Sequence, residues 1–176
     1  MKKVIWLTGL PCSGKTTLAN ELHWTMRKLG IKSYVLDGDN IRNTHISSDV
    51  GFSLEDRAKH LYRVAEIAKI LIENDVWAIC AFVSPIENQR NYIKERIIGE
   101  DNFILVYLEC GLTTCIQRDD KGMYARAKKG EIKDFTGIDS PYEEPEHPNI
   151  LVYSDVNSVE KCVSRILEGI VSFVSR

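Results

Sequence analysis

The stretch Gly9-Leu10-Pro11-Cys12-Ser13-Gly14-Lys15-Thr16-Thr17 separates two glycines by four residues and closes on a lysine and two hydroxyls. Every fixed position of G-x-x-x-x-G-K-[ST] is met, between an apolar run and a segment of helical spacing, the context that gives this motif its meaning. Glycines let the backbone curl into a nest whose N–H groups converge on phosphate oxygens, and the positive end of the next helix adds to the attraction. Lys15 is placed to bridge the outer phosphates and Thr16 to offer its hydroxyl to a magnesium ion. The chemistry expected here is that of a nucleoside triphosphate.

Acidic residues decide what is done with it. No Asn-Lys-x-Asp tetrapeptide occurs, which disfavours guanine and favours ATP. Glu109, after "ILVYL", is the one candidate for the strand-end acid of an energy-transducing ATPase, and it equally suits a strand terminus. In "YVLDGDNIR", Asp37 and Asp39 follow the second apolar run directly, on the carboxyl edge where open α/β sheets collect ligands. Asp37 is the candidate to hold magnesium, and Asp39 the candidate to position or deprotonate an acceptor hydroxyl.

Elements must bring these groups together. Apolar runs at Val4 to Leu7, Ser33 to Leu36, Val76 to Val83, Phe103 to Leu108 and Ile150 to Tyr153 are short, rich in β-branched and aromatic residues, and apolar on both faces. That pattern predicts strands buried between helical layers. Helical spacing predicts helices at Thr17 to Leu29, Leu54 to Asn74, Glu87 to Ile98, Leu112 to Arg118 and Ser158 to Val174, the second started by Ser53 with Asp56 three residues on. Strict alternation implies an α/β fold of three layers, with a mostly parallel five-stranded sheet and right-handed crossovers. The span Asp119 to Pro148 breaks the pattern with charges, glycines and prolines, and is expected to be a mobile lid outside the core.

Composition sets the bounds. A chain of 176 residues, 44% hydrophobic, buries one substantial core, so a single domain over 1–176 is expected. Net charge near −2 leaves no global field for nucleic acid or an anionic membrane, which points to a small-molecule partner. Five scattered cysteines without a paired spacing fit a reducing, cytoplasmic setting. No leader or membrane-spanning stretch is expected, because no segment approaches 18 apolar residues.

Longer motifs add specificity. From end to end the chain resembles the adenylyl-sulfate kinase family, through "GLPCSGKTT", "LDGDNIR", "GFSLEDR", "FVSP" and "KGMYARAKKGEIKDFTGIDSPYEEPEHP". The resemblance implies transfer of the ATP γ-phosphoryl group to the 3′-hydroxyl of adenosine 5′-phosphosulfate, with magnesium, by a P-loop kinase that forms a homodimer. It also implies that Arg42, Phe52, Arg57 and Arg90 hold the nucleotide acceptor, and that Lys133 and Phe135 close over it from the lid. Two phenylalanines suit the two faces of a base, and guanidinium groups suit a doubly anionic acceptor. Arg118, in the family's "RD" pair, is implied to lie against the ATP adenine. Ser84, in the family's "SP", is implied at the reaction centre; with no histidine in the local motif to activate it, a polar wall is expected rather than a nucleophile.

Departures cluster on the acceptor side. Where the family reads close to "HGLNKDLGFS", this chain has "NTHISSDVGFS", one residue longer and without the glycine and the basic residue. After Ser84-Pro85 it places Ile86-Glu87-Asn88-Gln89 before Arg90, where the family carries an aromatic and basic residues. A carboxylate close to an anionic acceptor would repel it. The alternative acceptor is therefore another nucleotide-linked compound, such as a cytidine diphosphoramidate of polysaccharide modification. A regulatory protein that binds nucleotide without turnover is a further alternative, opposed by intact Lys15, Thr16, Asp37, Asp39 and Lys133.

Overall fold

The computed structural model describes residues 2–175. The elements run β1 (Val4–Thr8), α1 (Lys15–Lys28), β2 (Ser33–Asp37), α2 (Gly38–Arg42), α3 (Leu54–Glu73), β3 (Trp77–Ala81), α4 (Glu87–Tyr92), β4 (Phe103–Glu109), α5 (Leu112–Gln117), α6 (Met123–Lys128), β5 (Ile150–Tyr153) and α7 (Val159–Val174). The predicted helix at 87–98 changes pitch half-way, because Ile93–Ile98 winds as a π turn. The third strand ends at Ala81 instead of Val83, and α2 and α6 were not foreseen.

Five parallel strands form one sheet in the order β2-β3-β1-β4-β5. Alternation along each strand divides the core in two. On one face Ile5, Leu7, Ile79, Ile104 and Val106 pack against Leu18 and Leu22 of α1 and Val163 and Ile166 of α7. On the other, Val4, Trp6, Cys80, Phe82 and Phe103 meet Leu61, Val64 and Ala68 of α3 with Ile93 and Ile97 of the π turn. The three layers are therefore those implied by runs apolar on both faces.

Two helix starts follow from local chemistry. Ser53 Oγ accepts from the Asp56 amide at 3.1 Å, as the capping pattern predicts, and Ser158 caps Lys161 in the same way at 3.3 Å. Within the 119–148 span, α6 is anchored to the rest of the protein. Tyr124, only 1% exposed, packs with Cys110 and Cys115 as a small third core, and its hydroxyl donates to the Pro11 carbonyl at 2.9 Å. One turn of helix in this span thus presents its aromatic residue to the back of the glycine loop.

Candidate active site

The loop after β1 has the shape its glycines imply. A Cβ on Gly9 would come within 2.7 Å of the Leu108 carbonyl and 2.8 Å of Ser13 Oγ, so a larger residue cannot pass. Gly14, the residue before α1, adopts φ 95°, a left-handed conformation that glycine takes without strain. Lys15 opens the helix and turns its ammonium back over the loop, donating to the carbonyls of Gly9 at 3.0 Å and Leu10 at 2.7 Å. Burial pulls its pKa down to about 8, because the charged form loses hydration there. The remaining loop residues are fixed from outside: the Ser13 carbonyl accepts from Ser154 Oγ at 2.8 Å, and Pro11 from Tyr124. Cys12 sits with Sγ 3.9 Å from an Asp119 carboxylate oxygen; burial and that carboxylate push its thiol up, so it is not a reactive thiolate.

Both aspartates arrive at the same edge. Thr16 Oγ1 donates to Asp37 Oδ2 at 2.7 Å, a hydroxyl and a carboxylate oxygen converging from α1 and β2 as a hard cation requires. The other Asp37 oxygen accepts from the amides of Asp39 at 3.1 Å and Asn40 at 3.3 Å, which starts α2 and holds the carboxylate still. Asp39 is left exposed, and Lys121 Nζ reaches its carboxylate at 2.9 Å. That contact raises the lysine pKa, chiefly through the hydrogen bond. Lys121 opens the "KGMYARAKKG" motif, but the sequence gives it no role. It is delivered by a turn in which the Gly122 amide donates to the Asp119 carbonyl at 3.1 Å, with Gly122 at φ 64°.

Arg118 Nη2 donates to the Ser154 carbonyl at 2.8 Å and borders a cavity of about 320 Å³ with Gly14, Thr17, Asn157 and Val159, adjoining the glycine loop. A larger cavity of about 480 Å³ lies between Tyr107, Tyr142 and Leu112. None of Lys15, Asp37 and Asp39 lines it, although Leu10 of the glycine loop does.

On the acceptor side the structure gathers most of the expected residues. The Arg42 guanidinium lies 4.7 Å from the centre of the exposed Phe52 ring and donates to the Gly51 carbonyl at 2.9 Å. Arg57 donates to the carbonyls of Phe52 at 2.8 Å and Asp134, and to Thr136 Oγ1 at 3.0 Å, tying the start of α3 to the lid. Burial lowers the pKa of both guanidiniums. Lys133 is exposed, and Phe135 stands edge-on to Tyr124 with centroids 5.0 Å apart.

Two expectations fail here. Arg90 is 1% exposed and its donors are engaged, by Glu87, by the Ser84 carbonyl at 2.6 Å and by the Glu143 carbonyl at 2.6 Å, so it is a strut between β3 and the lid instead of an acceptor ligand. Ser84 is 2% exposed, with Oγ accepting from Trp6 Nε1 at 3.0 Å, so it forms no wall of the site. The two corrections are linked. Glu87, expected as a charge reversal beside an anion, is neutralised by Arg90. Sequence spacing shows an arginine near a loop; only packing tells which side of the loop it takes.

The comparisons agree with this geometry. The sequence profile described as adenylylsulphate kinase matches residues 1–153. An adenylyl-sulfate kinase of Thermodesulfovibrio yellowstonii is 44% identical over 167 residues, 95% of this chain and 82% of that protein. One from Clostridium kluyveri is 43% identical over 165 residues, covering 94% and 81%. Among solved structures, the Mycobacterium tuberculosis APS kinase CysC in complex with AMPPNP and APS superposes with a TM-score of 0.91 at 35% identity, over 97% of this chain and 98% of that one. A nest, a buried lysine and two edge aspartates in this sheet order, together with those relatives, lead to one conclusion: the chain belongs to the adenylyl-sulfate kinase family.

Proposed function

We propose that this protein transfers the γ-phosphoryl group of ATP to the 3′-hydroxyl of adenosine 5′-phosphosulfate. One observation carries the reading: the glycine-loop nest and its lysine share a sheet edge with Asp39, an exposed carboxylate on the first turn of α2. The Mycobacterium tuberculosis relative was solved with a triphosphate analogue and this acceptor together.

The steps follow from the groups present. The loop amides and Lys15 hold the β and γ phosphates, while Arg118 borders the cavity that suits the ATP base. Thr16 and Asp37 supply the oxygens that would hold Mg²⁺, which neutralises phosphate charge when bound. Arg42, Arg57, Phe52, Lys133 and Phe135 orient the acceptor nucleotide. Asp39 then accepts the hydroxyl proton as that oxygen bonds to the γ phosphorus, the bond to the β–γ bridging oxygen breaks, and ADP leaves with the electron pair. Lys121 screens Asp39 and faces the region where negative charge gathers during transfer.

The same reading holds 1–176 to be one catalytic domain with 119–148 as its lid, working as a homodimer. A reducing, cytoplasmic location is supported by five free thiols. Among the described residues no helix is long and apolar enough to cross a membrane. The test is ADP release from Mg-ATP by purified protein, with adenosine 5′-phosphosulfate and with cytidine diphosphate acceptors. Turnover that depends on the adenosine compound supports the proposal; preference for a cytidine compound, or no acceptor-dependent turnover, overturns it.

A further inference from the structure

We propose that His60 and Arg63, on successive turns of α3, are positioning residues that support acceptor binding by clamping the loop 43–51. This rests on the kinase reading above and concerns how its acceptor side is held. The loop has no regular structure and is mostly exposed, with Thr44, His45, Ile46, Ser48 and Asp49 all facing solvent. Ser47 is the exception at 2% exposure, and its Oγ lies 2.7 Å from His60 Nδ1. One turn along, Arg63 donates to the Ile46 carbonyl at 2.8 Å and grips Asp49 with two bonds, of 2.5 and 2.8 Å. Three neighbouring loop residues are thus tied to a helix whose far side is locked into the core.

The clamp has leverage on the site because the loop joins Arg42 to Phe52. Arg42 closes the loop base through the Gly51 carbonyl and stacks on Phe52, so a slip of the loop carries both groups with it. A displacement near 1 Å in a positioning group is enough to impair a reaction strongly. Stability does not explain a histidine at this place. His60 is 3% exposed and edge-on to Phe82, and its Nε2 has no hydrogen-bond partner among the described residues. An apolar side chain would leave no polar atom stranded; what histidine adds is the bond to Ser47. Burial, with Arg42 and Arg63 nearby, lowers its pKa to about 4, so the ring stays neutral and the bond persists at ordinary pH.

The sharpest test is the paired variant His60→Leu/Ser47→Ala, which removes the bond and leaves neither partner stranded. The Tm is expected to stay within about 2 °C of the parent. KM for adenosine 5′-phosphosulfate should rise about fivefold, equivalent to about 1 kcal/mol at 1.4 kcal/mol per tenfold, with KM for ATP and kcat unchanged. His60→Asn, whose amide reaches the Nδ1 position, should restore the parent KM. Tryptic cleavage after Arg42 reads the same clamp without any acceptor, and should be faster in the paired variant. Unchanged cleavage overturns the clamp whatever the substrate, and so does a Tm loss with both KM values rising together. Absence of acceptor-dependent turnover in the parent enzyme refutes the kinase reading instead.

Discussion

Arg90→Met separates a strut from a ligand. The guanidinium is 1% exposed and donates to Glu87, to the Ser84 carbonyl and to the Glu143 carbonyl, while the methionine stem fills most of the same space. Breaking a buried ion pair by removing one partner costs about 3–5 kcal/mol. One feature favours the lower end: the Glu87 side chain is 28% exposed and regains water. A loss of about 3 kcal/mol in a domain of this size lowers Tm by roughly 6–12 °C. Thermal unfolding followed by circular dichroism reads that shift, and steady-state kinetics on the folded variant should give KM values for both substrates close to the parent. If Tm instead moves by less than about 2 °C while the acceptor KM rises more than tenfold, Arg90 contacts the acceptor and the strut argument is wrong.

Lys15 gives a pH signature. With its pKa lowered to about 8 in the ligand-free protein, the amine is largely neutral above that pH, yet a polyphosphate demands the ammonium form, so binding takes up a proton. Affinity for a non-hydrolysable ATP analogue should fall by up to about tenfold per pH unit above 8, and calorimetry in buffers of different ionisation enthalpy should record the uptake; a constant Kd across that range refutes it. The unliganded protein should also gain stability as pH rises from about 8 towards the ordinary lysine value of 10.5, since the unfolded chain binds the extra proton there. Lys121→Met removes an exposed pair that contributes at most about 1 kcal/mol, so Tm should hold while kcat drops at least about tenfold; equal kcat would remove Lys121 from the mechanism. Thr16→Val keeps the helix start but deletes one proposed metal oxygen, and should raise the Mg²⁺ concentration needed for half-maximal rate; an unchanged titration curve contradicts that assignment.

The glycine loop, Lys15, Thr16 and the two aspartates were legible because each is fixed by chain neighbours. A nest needs glycines at set offsets, its lysine opens the next helix, and Asp37 caps the turn that carries Asp39. The sheet was equally legible, since runs apolar on both faces fit only between two helical layers. Expectation failed where a side chain's surroundings come from distant parts of the chain. Arg90 sits in an acceptor-like motif, but Glu143, 53 residues on, claims part of its guanidinium; Lys121 looks like a surface charge until a fold brings Asp39, 82 residues away, to its side. By itself, then, the sequence determined the phosphate-holding corner and the layered sheet, because short-range geometry and alternation write both directly into residue order. Only the tertiary structure decided which cations remain available to an acceptor and which are consumed as struts, because hydrogen-bond capacity is spent on whichever partners packing delivers.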